Sequence, residues 1–319
     1  MDQSTNDFEN HQAFFVCERL GRSGWGPYHD VRLPVDDLGF RQAVTAVERL
    51  RTYGGVPFRM PQHWQRLQRT LGCLRIKEPA GDDWFGPVKL TERVQELLSR
   101  NASLVQSCGD VGITVWVTPG ERADAAPSMA MHLNPIDHEL VAQRRREGQA
   151  VVLTTVTQPD PSCWPRQAKV RCRLHYYLAD QMARDIAKQH SVGSVPTGLL
   201  RDSDGTWTES GIANVGLIVD GEIVLAPEDR VLPGVTQDFV ISVAKTRGIH
   251  VRRLPMTTRM IRDAENVLLM GTDNGVWFGS EVLHADRSES EPLCKFDSPE
   301  SDGVVRILQA ELSAATEPA

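Results

Sequence analysis

The sequence predicts an α/β protein built as two unequal units. Three observations carry that reading. Stretches with helical spacing alternate with short apolar, β-branched runs along the whole chain. A charged segment, residues 136–148, separates two such series. At 319 residues the chain exceeds one small core. The expected division is a smaller unit at 1–135, a connector at 136–148 and a larger unit at 149–319.

Residues 1–30 carry Phe14, Phe15, Val16 and Trp25 broken by glycines, and they fit no single element. From Phe40, the positions Ala43, Val44, Val47 and Leu50 follow helical spacing, with a strand still possible through Leu50–Tyr53 before the Gly54-Gly55 turn. Pro61 starts a helix with Trp64, Leu67 and Leu71 on one face, and 89–107 reads as another. Strands are expected at 112–118 and 128–133, joined by the loop 119–127. In the second series, Val151–Val156 reads as a strand. Leu174, Leu178, Met182 and Ile186 mark one face of a helix over 174–188. Asp220-Gly221 sits between two apolar runs, a hairpin signal. A helix over 236–246 stops at Gly248, Val267–Met270 is a buried strand, and a last helix lies near 304–312 after a polar tail.

Composition excludes several functions. Hydrophobic residues at 40% and charged ones at 24% mark an ordinary globular chain. A net charge of −7 with mixed signs disfavours nucleic acid as the partner. The run Arg144-Arg145-Arg146 reads as a solvated helix end. The polar start lacks a signal-peptide core, and no apolar run approaches the ~20 residues of a membrane span. A cytoplasmic protein is expected, with its six scattered cysteines as free thiols and no zinc site. Nucleotide-loop, zincin and serine-hydrolase motifs are absent from the sequence.

Five pieces bear chemistry. Lys169 is one of only six lysines, so candidates for an amine reacting with a carbonyl are few. Glu209, after a predicted strand, could face and hold a protonated ring nitrogen. Gly234-Val235-Thr236 lies at the mouth of a helix, where free amides and the helix dipole seat a phosphate. Gly271-Thr272 could add a hydroxyl donor, and Arg66 a planar cation suited to phosphate oxygens. Each has a plainer alternative: Lys169 and Arg66 as surface residues, Glu209 as a turn residue, Thr236 as an N-cap. Together they are the parts needed to hold pyridoxal 5′-phosphate.

Their order resembles the class IV (fold-type IV) pyridoxal-phosphate enzymes, which include branched-chain and D-amino-acid aminotransferases and aminodeoxychorismate lyases. The resemblance covers roughly residues 37–283. Gly39-Phe40 through Glu48, Arg51 and Tyr53-Gly54-Gly55 is similar to the early family stretch. His63-x-x-Arg66-Leu67 matches "H..RL", Glu209 with Asn214 matches "E….N", Leu232–Thr236 matches "L.GIT", and Gly271-Thr272 the closing "GT". The resemblance implies fold type IV: a smaller N-terminal α/β domain and a larger α/β pseudo-barrel domain, the cofactor between them, in a homodimer. It implies that Lys169 is the Schiff-base lysine and proton shuttle. Arg66, Val235, Thr236 and Thr272 would hold the phosphate, and Glu209 the ring. An amino group would pass between an amino acid or amine and a 2-oxo acid, the alternatives being a lyase of the aminodeoxychorismate type or a cofactor-binding homologue without turnover. The chain departs from the pattern at Ala43-Val44-Thr45, at Val47 and at Gln237. Thr45, Val47 and Arg122 are the expected substrate-pocket residues.

Overall fold

The structure, a computed structural model, describes residues 8–77, 86–286, 291–301 and 303–317. Two compact units emerge, the first gathering the described residues up to Ile136 with Ala168–Cys172, the second holding Asp137–Gln167 and Arg173–Ala315. The segment bearing Lys169 thus groups with the first unit, not with the larger one that the sequence suggests. Residues 136–148 are not a plain connector, since they hold a helix of the second unit, His138–Glu147.

Among the described residues the first unit has an antiparallel sheet of six strands: β1 (Gln12–Cys17), β2 (Arg22–Pro27), β3 (Ala46–Tyr53), β4 (Val56–Pro57), β5 (Gly112–Thr118) and β6 (Ser128–Asn134), in the order β2-β1-β6-β5-β3-β4. The helices α1 (Leu38–Arg41), α2 (Met60–Leu74), α3 (Pro87–Arg100) and α4 (Ala102–Cys108) complete it. Trp64, Leu67 and Leu71 of α2 and Leu90, Val94 and Leu97 of α3 are buried in one core with Leu50, Ile113, Val115, Met129 and Met131 of the sheet. The helix expected from Phe40 is instead the single turn α1, capped by Asp37, followed by the strand β3. Both faces of β3 are covered, so Val47 and Leu50 are buried on opposite sides and the alternation that marks a half-exposed strand is missing. The helix expected at 89–107 breaks at Asn101, whose side chain bonds the backbone of Gln12 and Leu97.

On the sheet face opposite that core, His132 is buried beside His11 and Tyr28, with ring centroids 6.4 and 4.8 Å away. Burial lowers the His132 pKa to about 4, against the hydrogen bond to the Leu133 carbonyl, and the charges of His11, Arg171 and Arg49 add to the lowering. A histidine with a depressed folded pKa leaves the unfolded chain binding more protons below its usual ~6.5. Stability from this site is therefore complete above ~6.5 and drains as pH falls towards 4, by about 3 kcal/mol in all. The unfolding midpoint should drop over that window, and His132→Gln should flatten the slope; equal slopes for both proteins would refute the assignment.

Among the described residues the second unit holds nine strands: β7 (Gln149–Thr157), β8 (Thr197–Arg201), β9 (Trp207–Ser210), β10 (Asn214–Val219), β11 (Glu222–Leu225), β12 (Val251–Arg253), β13 (Asn266–Gly271), β14 (Gly275–His284) and β15 (Cys294–Lys295). The path β10-β13-β14-β7-β8-β9 returns to β10 through Asn214 and Glu209, which closes six strands into a barrel. Its helices are α5 (His138–Glu147), α6 (Leu174–Gln189), α7 (Val235–Arg247), α8 (Thr258–Asp263) and α9 (Val304–Thr316). The β10–β11 hairpin turns on Asp220 and Gly221, whose φ values of 52° and 71° are both positive, as its two-residue turn requires.

α6 departs from the periodicity reading. Leu174 and Leu178 are exposed, while Ala179, Ala183 and Ala187 are buried. Small residues let the helix lie close to β7 and β8, and a Cβ at Gly198 would press on the Ala179 carbonyl. The arginine run divides its tasks: Arg144 bonds Asn274, Arg145 bonds Ser313, and Arg146 pairs with exposed Glu147. Among the described residues no helix is long and apolar enough to cross a membrane.

Candidate active site

In the first unit, α2 and β3 build a buried ionic cluster. Glu48, Arg66, His63 and Thr70 are all buried. Positions 63, 66 and 70 share one face of α2 by helical spacing. Arg66 donates through Nε at 3.0 Å and Nη2 at 2.6 Å to the two oxygens of Glu48, and His63 Nδ1 lies 2.9 Å from Glu48 Oε1. Burial pushes the Glu48 carboxyl upward, but the Arg66 charge and the bonds from His63 and Arg66 overcome this and hold it well below the usual range. Burial also lowers the His63 pKa, against Glu48, with the positive charges of Arg66 and Lys169 adding to the lowering. His63 is thus neutral near pH 7, its Nδ1–H donating to the carboxylate.

Lys169 is fastened to this cluster by its backbone. Its N–H donates to Thr70 Oγ1 at 3.0 Å, and the Thr70 hydroxyl donates to the Arg66 carbonyl. Val47 N–H donates to the Lys169 carbonyl at 3.0 Å, and Arg171 N–H to the Thr45 carbonyl at 3.1 Å. Thr45 and Val47 are buried and form the ladder that holds the Lys169 segment. Arg122 is elsewhere: its side chain is three-quarters exposed and pairs with Asp124 at 2.8 Å, which favours a solvated turn residue.

In the second unit, Glu209 is the centre. Its Oε1 accepts from Tyr176 Oη at 2.8 Å and Gln158 Nε2 at 3.0 Å. Its Oε2 accepts from Asn214 Nδ2 at 3.1 Å and Leu232 N–H at 3.0 Å. Asn214 also donates to the Leu232 carbonyl at 2.8 Å and so ties the acid to the loop that enters α7. At that entry only glycine fits, because a Cβ on Gly234 would overlap Asn214 Oδ1. Gly234 gives α7 no side-chain cap, and the amides of Val235, Thr236 and Gln237, in a buried first turn, have no acceptor among the described residues. Thr272 follows β13 in a turn braced by Arg144 through Asn274. Gly271 is required there too, since a Cβ would overlap the Ile212 carbonyl.

Sequence reasoning misses Tyr176 and Gln158, because neither belongs to a motif and Tyr176 lies off the expected apolar face of its helix. Glu48 and His63 are present in the sequence only as letters of a matched stretch, with nothing to say that they bond each other.

Comparison with known proteins gives the family and the fold. The family model for amino-transferase class IV matches residues 45–282. The branched-chain-amino-acid aminotransferase of Salmonella typhimurium is 25% identical over 251 residues, spanning 77% of this chain and 78% of its own. The D-alanine aminotransferase of Listeria monocytogenes is 24% identical over 254 residues, with 76% and 80% covered. Among solved structures, a T.th. branched-chain amino acid aminotransferase complexed with N-(5′-phosphopyridoxyl)-L-glutamate superposes with a TM-score of 0.78 at 20% identity, covering 97% of this chain and 95% of that one. A fold IV-transaminase from Curtobacterium pusillum gives 0.72 at 20% identity, covering 97% and 99%.

Proposed function

Because the chain belongs to the class IV aminotransferase family, we propose that it moves an amino group between an amino acid or amine and a 2-oxo acid, with pyridoxal 5′-phosphate as cofactor. The observation that carries this reading is the join of a buried acid to an uncapped helix mouth: Asn214 bonds both Glu209 and the loop entering α7. The residues fit the cofactor chemically. The backbone amides of three buried residues, which have no acceptor among the described residues, and the Thr236 hydroxyl make an anion seat, and glycines at 234 and 271 keep it clear of side chains. When bound, the cofactor supplies an aldehyde carbon that exchanges amines and a ring that takes up an electron pair.

The protein's residues do the rest. Val235, Thr236 and Thr272 hold the phosphate, with Arg66, kept in place by Glu48, adding positive charge. Glu209 presents a negative charge to the ring nitrogen. The Lys169 amine, steadied by the backbone bonds to Thr70 and Val47, would take the proton from the substrate Cα and return it to the carbon that was the cofactor's aldehyde carbon. Thr45 and Val47, buried beside Lys169, face the substrate. The six free cysteines favour a reducing compartment and hence the cytoplasm. A homodimer is part of the proposal, and exposed Leu174, Tyr177 and Leu178 on α6 offer it an apolar patch. Titrating the cofactor-loaded protein with L- and D-amino acids and aryl amines tests the reaction, with light scattering giving the mass. Conversion of the cofactor to its amine form, reversed by a 2-oxo acid, is the expected result. Pyruvate released without an acceptor would instead mark a lyase, and a spectrum unmoved by every amine a protein without turnover.

A further inference from the structure

We propose that Tyr176 is a positioning residue for Glu209: with the Gln158 amide, its hydroxyl fixes the carboxylate's orientation and keeps it ionised towards the ring nitrogen of bound pyridoxal phosphate. The proposal rests on the reading of Glu209 given above. Four segments converge on that carboxylate, and two of them, bearing Asn214 and Leu232, are β10 and the loop that enters α7. Tyr176 and Gln158 come from elsewhere, α6 and the end of β7, and both donate to the same oxygen, Oε1. Donors aimed at the charged form of an acid favour that form.

The tyrosine is itself held. The Arg173 guanidinium lies 4.6 Å over its ring, and the His175 ring centroid is 4.1 Å away. Arg173 is anchored in turn on the Gly211 carbonyl, two residues past Glu209. Gln158 is buried with its Oε1 lacking a partner among the described residues, so its amide leaves one acceptor unbonded while Nε2 bonds Glu209. The charges facing the hydroxyl are those of Glu209 and Arg173. Burial and the Glu209 charge raise the Tyr176 pKa well above its usual value, so the phenol remains a donor at all working pH. His175, lowered to about 4 chiefly by burial, then by Arg173 and Arg166, is neutral there.

The full-length protein provides the test, without and with cofactor. In the cofactor-free protein, the carboxylate infrared band that disappears in Glu209→Gln reports Glu209 alone. Tyr176→Phe should raise the protonation midpoint of that band by about one pH unit and weaken cofactor binding about tenfold. In the loaded enzyme, kcat should fall with KM unchanged. Installing 3-fluorotyrosine at position 176, an isosteric and slightly stronger donor, should move the midpoint the other way, and it decides the matter if Tyr176→Phe does not fold. A midpoint and cofactor affinity unchanged in both variants, with only thermal stability altered, would overturn the proposal. Glu209→Gln separates the two levels. If it changes cofactor affinity and absorbance while the Tyr176 variants change nothing, this proposal alone falls. If Glu209→Gln also leaves them untouched, the reading of Glu209 falls with it.

Discussion

Lys169→Ala should reduce amino transfer by at least ~10³-fold, and borohydride should no longer fix the cofactor to the chain. The size of the effect follows from the double duty assigned to one amine, which links to the cofactor and moves the substrate proton. The bonds to Thr70 and Val47 are made by its backbone, so removing the side chain leaves them in place. The variant should therefore fold with an unfolding midpoint near that of the parent. Peptide mass mapping after reduction is the direct measurement. In the parent, the cofactor's mass should travel with the peptide spanning residue 169. A modified peptide centred on any of the other five lysines, or turnover retained in the variant, would remove Lys169 from its role.

Glu48→Ala is the second large effect, and it acts on folding. It leaves Arg66 and His63 buried without the carboxylate that both bond. Removing one member of a buried ion pair costs about 3–5 kcal/mol, mostly the desolvation of the charge left behind. For a protein of this size that is roughly a 6 °C fall in the unfolding midpoint. The pH dependence has a definite sign. The Glu48 carboxyl is held low in the folded state, so its contribution is complete above the unfolded value of ~4.3 and lost as pH falls below it. The Glu48→Ala deficit should thus be largest at neutral pH and shrink in acid. Thermal melts at several pH values check both size and trend, and a deficit independent of pH would contradict the ionic account. Because Arg66 is proposed to neutralise the phosphate, the variant should also bind cofactor less tightly.

Legibility in the sequence follows the physical signal available. α2, α3 and the Asp220-Gly221 hairpin are readable because each puts large apolar side chains, or glycine, where geometry demands them. β3 is not, because covering on both faces removes its alternation. α6 misleads because its buried stripe is alanine, which periodicity arguments weight lightly, while its leucines face outward. The candidate site divides similarly. Lys169, Glu209 and the Gly234–Thr236 turn belong to short ordered stretches with chemistry of their own. Their supports, Thr70, Gln158 and Tyr176, are commonplace residues whose relevance exists only in three dimensions. The position of the Lys169 segment is equally invisible, since a few backbone bonds to β3, not composition, attach it to the first unit.

The closure of the second unit has a consequence for how it opens. Among the described residues the ladder between β9 and β10 is the single pair Asn214 with Glu209, beside the turn bond from Ser210 N–H to the Ala213 carbonyl, and the side chains of that pair meet at the carboxylate. The seam of the ring and its acidic centre are one latch. Any molecule that grips Glu209 also bolts the seam, so occupancy should suppress local opening of β9, and amide hydrogen exchange there should slow in proportion to ligand concentration.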